Sequence, residues 1–392
     1  MTERLNFVMI SPHFPHNFTT FAERLYENGI NTLAIADVAY EELSENVRQH
    51  LTEYYRVDDL HDYDQVYRAV AYFAHKYGRI DRIESHNEYW LELDAKLRTD
   101  FNVFGFKNAD MLAIKTKRQM KEVFRQQGLT VAAGDTFKTD KEAKTLAKSL
   151  GFPIIVKPNS GVGSSDTYKL KNAKELDEFL AKRSAAVDYI MEEFIDGDIV
   201  TFDGLVDHDG KLVYYSSLEY SEAVLDTVAN GTDMYYYLPR DIDEKLVELG
   251  KVCVEAFHIR ERFFHFEFFR IRETGELIPL EVNCRPPGGV TIDMWNYAND
   301  FDIFKEYANV VKENSFKAES KRPYYVCYIS RREDKDYAHS LDEVAQYFGE
   351  HLVSIASVPG VFSNIMGEHG IVARCETIDT MRDLIRYAHE KV

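Results

Sequence analysis

The first third of the chain alternates between two kinds of hydrophobic order. LNFVMI is a continuous apolar run, as a strand buried on both faces requires; Phe18, Phe21 and Leu25 then recur at helical spacing, Gly29 supplies a stop, and NTLAIAD returns to extended structure. Strand, helix and strand in that order predict a parallel βαβ opening. A helix over Tyr63 to Tyr77, an extended RIDRIES and a helix from Glu88 to Phe101 carry the alternation to about residue 110. A doubly wound α/β domain is expected there. Its first connection, SPHFPHNFTT, lacks the GxGxxG fingerprint, so no dinucleotide is expected on it.

From Thr116 the pattern reads helix (KRQMKEVFRQQ, stopped by Gly128), strand, helix (DKEAKTLAKSL, stopped by Gly151) and the strand FPIIVKP. After NSGVGSSD come a strand TYKLK, a helix NAKELDEFLAKR and a run of strands from Tyr189 to Tyr220 broken at His208-Asp209-Gly210, a density that predicts an antiparallel sheet. A helix from Asp241 to Phe257 leads to the strands RFFHFEFFRI and ELIPLEVN, and helices follow Gly288 and Gly289 through about residue 313. From Pro323 the order is strand, helix, strand, strand, helix. The expected division is 1–110, 111–190, 191–316 and 317–392, of mixed α/β and α+β class, with the last segment a small α+β unit.

Composition narrows the function. The 392 residues carry 66 acidic against 47 basic side chains, a formal charge of −19, which repels nucleic acid and anionic membrane surfaces. An anionic small molecule can bind only where local lysines or arginines and a metal reverse the field. Cys253, Cys284, Cys327 and Cys375 are far apart and form no zinc spacing, so they are expected to be reduced, mostly buried thiols. The N-terminal segment has no secretory pattern and no span fit for a bilayer, and a cytoplasmic location is the expectation.

Chemistry concentrates around two glutamates. Glu267 in FFHFEFF and Glu281 in LIPLEVN are symmetric about Thr274, inside the turn Glu273-Thr274-Gly275, so a hairpin with a three-residue loop would set the carboxylates opposite each other. Like charges across a strand pair, among Phe and Leu, need a cation. Asn283 returns to the same face and adds a neutral oxygen, a hard donor set suited to magnesium. His265 shares that face and is read as a hydrogen-bonded structural histidine, since magnesium prefers oxygen. The stretch Ser160-Gly161-Val162-Gly163-Ser164-Ser165 could wrap phosphates with backbone N–H groups, and Lys157 ends the apolar strand before it. It is not a Walker loop, because no GK[ST] follows.

Lys117 eleven residues before Gly128, IIVKP with its Gly/Ser loop, MEEFIDGD, and FEFF followed by EVNCRPPGG resemble, in that order, the ATP-grasp family over roughly residues 110–315. The opening domain resembles the one that precedes that fold. Within the family the chain is most similar to carboxylate-amine ligases of the L-amino acid ligase type. The resemblance implies that Lys117 and Lys157 contact ATP phosphates, that Ser160, Gly161, Gly163, Ser164 and Ser165 close over them, and that Glu267, Glu281 and Asn283 bind magnesium, with manganese as a substitute. It implies an adenine clamp from the backbone of Glu192, Glu193, Phe194 and Ile195. The family's ribose-binding glutamate is replaced here by Ile199, so Asp198 is the substitute candidate.

For the substrates, Arg285 is the candidate to hold the acyl phosphate or a carboxylate, with Lys157 as its catalytic partner. Gly288 and Gly289, leading to Thr291, offer free N–H groups to an anion, and Glu88 could take an amino group. The segment from Tyr214 to Arg240, with Glu219, Asn230, Asp233 and Tyr236, is expected to wall a substrate pocket. The implied reaction is ADP-forming ligation of a small-molecule carboxylate to an amine, with amino acids or dipeptide-like molecules as substrates. No nucleic acid or membrane partner is expected, and a homodimer is the family-based expectation. The rivals are a biotin-carboxylase-like enzyme using bicarbonate, and an ATP-binding sensor without turnover.

Overall fold

The computed structural model describes residues 4–161, 166–221 and 231–392, apart from the side chain of Val361. Of the positions singled out above, Val162, Gly163, Ser164, Ser165 and Asn230 lie outside the described residues.

The N-terminal domain is a parallel sheet of β1 (Asn6–Ile10), β2 (Asn31–Ala36), β3 (Glu53–Arg56) and β4 (Arg82–Glu84), in the order β3-β2-β1-β4. Helices α1 (Thr20–Glu27), α2 (Glu45–Gln49), α3 (Tyr63–Tyr77) and α4 (Leu91–Asp100) connect it. The apolar run of β1 is buried along its whole length, as the sequence pattern requires. α5 (Asn108–Lys115) and α6 (Lys117–Gln126) lead to a small antiparallel sheet of β5 (Gly134–Phe137), β6 (Ile154–Pro158), β7 (Tyr168–Leu170) and β8 (Tyr189–Glu193), ordered β5-β8-β6-β7 and packed on α7 (Asp140–Leu150) and α8 (Ala173–Lys182). The run of strands expected from Tyr189 to Tyr220 is therefore split: its first strand belongs to the small sheet.

The remaining strands form one large antiparallel sheet. They are β9 (Gly197–Val206), β10 (Leu212–Ser216), β11 (Glu219–Tyr220), β12 (Tyr235–Leu238), β13 (Arg262–Ile271), β14 (Leu277–Asn283), β15 (Tyr325–Arg331), β16 (Leu352–Ser357) and β17 (His369–Cys375). The order is β14-β13-β9-β11-β12-β15-β17-β16, with β10 on β9. The C-terminal strands thus extend this sheet through the β12–β15 pair instead of forming a sheet of their own, because Tyr235 to Leu238 pair with Ile329 to Val326. α9 (Glu244–Ala256), α10 (Thr291–Asn299) and α11 (Ile303–Glu313) pack on it, followed by α12 (Leu341–Phe348), α13 (Gly360–Met366), which the sequence pattern did not announce, and α14 (Ile378–His389).

α9 approaches β9 at Gly250, where a Cβ would run into the Phe202 ring. Gly250→Ala is expected to destabilise the fold by about 1–3 kcal/mol through overpacking, read as a lower urea midpoint with an unchanged slope. The N-terminal domain is clamped to the sheet by buried ion pairs. Glu84 accepts from Arg98 Nη2 (2.8 Å) and pairs with Arg262, and Arg82 forks onto Glu261. Burial alone would raise the Glu84 carboxyl, but the Arg262 and Arg98 guanidiniums outweigh it and hold it at about 2. All four cysteines are free and buried. Among the described residues no helix is long and apolar enough to cross a membrane.

Candidate functional site

The hairpin that carries the two glutamates is closed by Ile271 N–H to Glu276 O (2.9 Å) and Gly275 N–H to Ile271 O (2.8 Å). Its loop therefore holds four residues, Arg272 to Gly275, and not the three expected. Pairing then runs Arg270–Leu277, Phe269–Ile278 and Phe268–Pro279. Continued regularly, this register would set Glu267 against Leu280 and turn Glu281 to the other face. The register shifts by one residue between Phe268 and Glu267, Leu280 is absorbed as a bulge, and Glu267 falls opposite Glu281 and His265 opposite Asn283. Pro279, which lacks an N–H, sits beside the bulge on an edge strand, the setting that tolerates it. That proline was the sequence signal for the irregularity.

The two carboxylates are about a quarter exposed, at 27% and 21% of their side-chain surface. Burial and the charge of Glu267 raise the Glu281 carboxyl, against the pull of Lys117 and Lys157. Glu267 is held below its ordinary range, because the His265 hydrogen bond, Arg285 and Lys157 outweigh its own burial. His265 contacts Asp203 Oδ1 through Nδ1 (2.6 Å) and Glu267 Oε1 through Nε2 (3.2 Å). Burial would lower this imidazole, but Asp203 and Glu267 prevail and raise it to about 9. It is thus an imidazolium that donates to both carboxylates, in keeping with a structural role. Thr201 Oγ1 completes the line, donating to Asp203 (2.6 Å). Among the described residues no group of three or more His, Cys, Asp or Glu is placed so that it could hold a metal ion by itself. The donors at hand are two carboxylates and the Asn283 amide, a set that suits a hard cation completed by phosphate oxygens and water.

The lysines arrive from two elements bolted together. Asn159 receives the N–H groups of Lys117 (2.8 Å) and Arg118 (3.0 Å) on its main-chain and side-chain oxygens, and its own Nδ2 donates to Asp188 (3.0 Å). This fixes the start of α6 on the end of β6. Lys117 Nζ lies 3.5 Å from Glu281, and Lys157 Nζ 3.0 Å from Glu192. Lys121, one turn after Lys117, reaches the other Glu192 oxygen at 2.9 Å. It was missed from the sequence, although Lys117, Met120, Lys121 and Phe124 make up the buried face of α6 and a lysine on an apolar face signals a buried partner.

Glu192 thus offers its side chain to two lysines. Its backbone lies inside the small sheet, flanked by Gly134 and Ile155. The N–H groups of Glu193 and Phe194 are also taken, by Ala133 O (2.9 Å) and Pro153 O (3.3 Å). Of the stretch expected to clamp an adenine, Ile195 is left as the amide without a partner among the described residues. Asp198 is exposed and paired with Arg272 (2.8 Å). Ser160 bridges to Thr116, and Gly161 adopts φ +128° with open space where a Cβ would lie.

The strand ends at Asn283, so Arg285 lies beyond it. Its Nη1 donates to Pro286 O (2.8 Å), and its Nε lies 3.9 Å from Glu88 Oε2. Glu88 stands in the turn before α4 rather than at a helix start. Its Oε1 takes Lys115 Nζ (2.9 Å), while Oε2 is buried with no hydrogen-bond donor. Gly288 is exposed. Gly289 adopts φ +62°, and a Cβ there would meet Met366 at 2.8 Å and the Tyr236 hydroxyl at 3.2 Å, so Tyr236 does border the segment after Arg285. Asn17 of the N-terminal domain ties in by donating to Gly289 O (3.0 Å) and Asp293 (3.2 Å). Asp233 and Glu219 are committed elsewhere. Asp233 binds Tyr337 and Lys391, and Glu219 binds Tyr237 and Arg270, so the wall expected from Tyr214 to Arg240 narrows to Tyr236 among these residues.

Residues 150–293 match the ATP-grasp domain family. Over 322 residues, 77% of this chain and 76% of the other, the sequence is 24% identical to an L-arginine-specific L-amino acid ligase of Bacillus subtilis. The fold is similar to that of an L-amino acid ligase from Bacillus licheniformis, with a TM-score of 0.75, 17% identity and coverage of 98% of this chain and 97% of that one. It is also similar to the biotin carboxylase domain of a 2-oxoglutarate carboxylase from Hydrogenobacter thermophilus, solved with MgADP and bicarbonate, with a TM-score of 0.68, 17% identity and coverage of 97% and 89%.

Proposed function

We propose that this chain, whose residues 150–293 match the ATP-grasp domain family, is an ADP-forming ligase that activates a carboxylate with ATP and joins it to an amine, with amino acids as substrates. The observation that carries the reading is the facing pair Glu267–Glu281 with Lys117, Lys157 and Arg285 around it, two hard acidic donors for a cation beside three basic groups suited to phosphate oxygens.

Glu267, Glu281 and Asn283 would hold magnesium, which when bound supplies positive charge to the phosphates. Lys157, oriented by Glu192, neutralises the phosphoryl group in transfer, and Lys117 sits beside Glu281 to meet the same phosphates. The substrate carboxylate attacks the γ-phosphorus and ADP leaves. The amine then attacks the acyl carbon of the mixed anhydride, and phosphate leaves. No enzyme nucleophile is needed, and the rate comes from positioning and electrostatics. Arg285 is suited to the acyl phosphate. The Oε2 of Glu88, which accepts no hydrogen bond and lies 3.9 Å from Arg285, is suited to an ammonium, the group that distinguishes an amino acid from a plain acid.

The test is phosphate release across pairs of amino acids, with mass spectrometry of the products. Dipeptide formed together with stoichiometric ADP is the expected result. ADP release that requires bicarbonate and ignores amino acids would establish a carboxylase instead, and ATP binding without release across the panel a sensor. Glu88→Gln is expected to raise the KM for the substrate whose amino group it holds by at least about tenfold with a smaller change in kcat, since the loss is mainly of ground-state binding.

A further inference from the structure

A crevice between the N-terminal domain and the end of α9 shares no residue with the site above. It encloses about 410 Å³ and is lined by Arg79, Lys107, His258 and Arg260, with Val103, Phe104 and Phe106 as an apolar wall and Asp110 as the one carboxylate.

Several buried cations of this acidic chain are matched to acids, Arg98 and Arg262 to Glu84, Lys115 to Glu88, Lys121 and Lys157 to Glu192, while Arg331 and Arg332 bond main-chain carbonyls. The crevice gathers cations of a third kind, exposed or half-buried and grouped around one hollow. Among the described residues, Arg79, Lys107, His258 and Arg260 form no ion pair. Lys107 Nζ donates to the neutral Asn102 Oδ1 (2.9 Å) and Arg260 Nη1 to Ile259 O (2.7 Å). Asp110 has one oxygen engaged by the Lys107 N–H (2.8 Å). The Arg260 guanidinium lies against Gly210, at φ +92°, where a Cβ would overlap it, so the side chain is laid in a groove and not merely extended into water. Two arginines and a lysine lining one small volume against the single carboxylate of Asp110 leave an excess of positive charge, which is complementary to an anion. The volume is that of a small-molecule site, and the Val103–Phe104 wall suits an organic group.

We infer that this crevice binds a small phosphate ester, its phosphate held by Arg79, Lys107 and Arg260 and its organic part lying against the portion of Phe104 left open beside His208 and Arg82, which already cover the ring. Phe104, Gly105 and Arg260 also border the Arg82–Glu261 and Glu84–Arg262 pairs, so the ligand sits where the N-terminal domain is fastened to the large sheet.

Phenyl phosphate, titrated calorimetrically at constant ionic strength against a chloride blank, tests the site without calling on turnover. The wild-type protein is expected to bind it, Lys157→Met to keep that affinity, and Arg79→Gln/Arg260→Gln to lose at least tenfold. Arg79→Gln alone, at an exposed position, serves if the double variant melts early. No binding by the wild-type protein at millimolar concentration, or loss in Lys157→Met with retention in the arginine variants, overturns the assignment. Orthophosphate binding as tightly as the ester would overturn the role given to Phe104.

Discussion

Replacing Glu281 by Gln is expected to lower ATP-dependent phosphate release by at least about 10²-fold, the scale on which enzymes lose rate when one preorganised electrostatic contact to the reacting group is removed. The fold should not suffer. Glu281 faces another carboxylate directly across an antiparallel pair, and like charges in that position repel. The neutral amide relieves the repulsion at the cost of a Lys117 contact that is already 3.5 Å long. The melting temperature of the nucleotide-free protein should therefore be unchanged or higher while turnover collapses. A variant that kept both its rate and its metal requirement would remove the basis of the functional reading. One that lost rate together with stability would show that the pair is a fold element rather than a ligand set.

The second large effect falls on Glu192, which contacts no proposed substrate. It is 3% exposed and holds two lysines, 2.9 Å and 3.0 Å away. Glu192→Gln leaves Lys121 buried without its ion-pair partner and Lys157 with only the charges of Glu281 and Glu267, and breaking a buried ion pair on one side typically costs about 3–5 kcal/mol. Acid titration gives an independent check. Burial by itself would raise this carboxyl, but Lys157 and Lys121 bring it to about 2, from an ordinary 4.5. A folded-state value below the unfolded one means that the contribution is complete above pH 4.5 and lost as pH falls toward 2. The wild-type protein should shed roughly 3 kcal/mol over that window beyond what the variant sheds. Glu84, also held at about 2, is common to both proteins and cancels in the difference. Equal acid sensitivity of the two proteins would mean that Glu192 does not carry the lysines. Activity should fall with stability, because Lys157 takes its position from this contact.

These two residues mark how far the sequence could be read. The place of Glu281 was legible: a carboxylate inside an apolar strand, symmetric with another about an evident turn, was expected to face it, and it does. Glu192 was legible only as part of an extended stretch near a nucleotide base. Its pairing with Lys157 depends on β6 lying beside β8, and its pairing with Lys121 on α6 being pinned to β6 by Asn159, a contact between segments about forty residues apart that no periodicity encodes.

The sequence by itself determined the elements and their class, since hydrophobic period and Gly stops act over a few residues. Tyr63–Tyr77 and the βαβ opening stand where the pattern put them. It also determined which side chains were chemically out of place: Lys157 ending an apolar strand, Glu267 between phenylalanines and Glu281 in an apolar strand. Tertiary structure decided what these could meet. It set the hairpin at four loop residues and restored the glutamate pairing by a bulge at Leu280. It merged the C-terminal strands into the large sheet through β12 and β15. It brought Asn17, Gly289 and Tyr236 from three parts of the chain to one edge of the site. The physical reason is one of range: propensity and burial pattern are properties of neighbours in sequence, whereas charge balance and strand register are settled by groups that become neighbours only when the chain has folded.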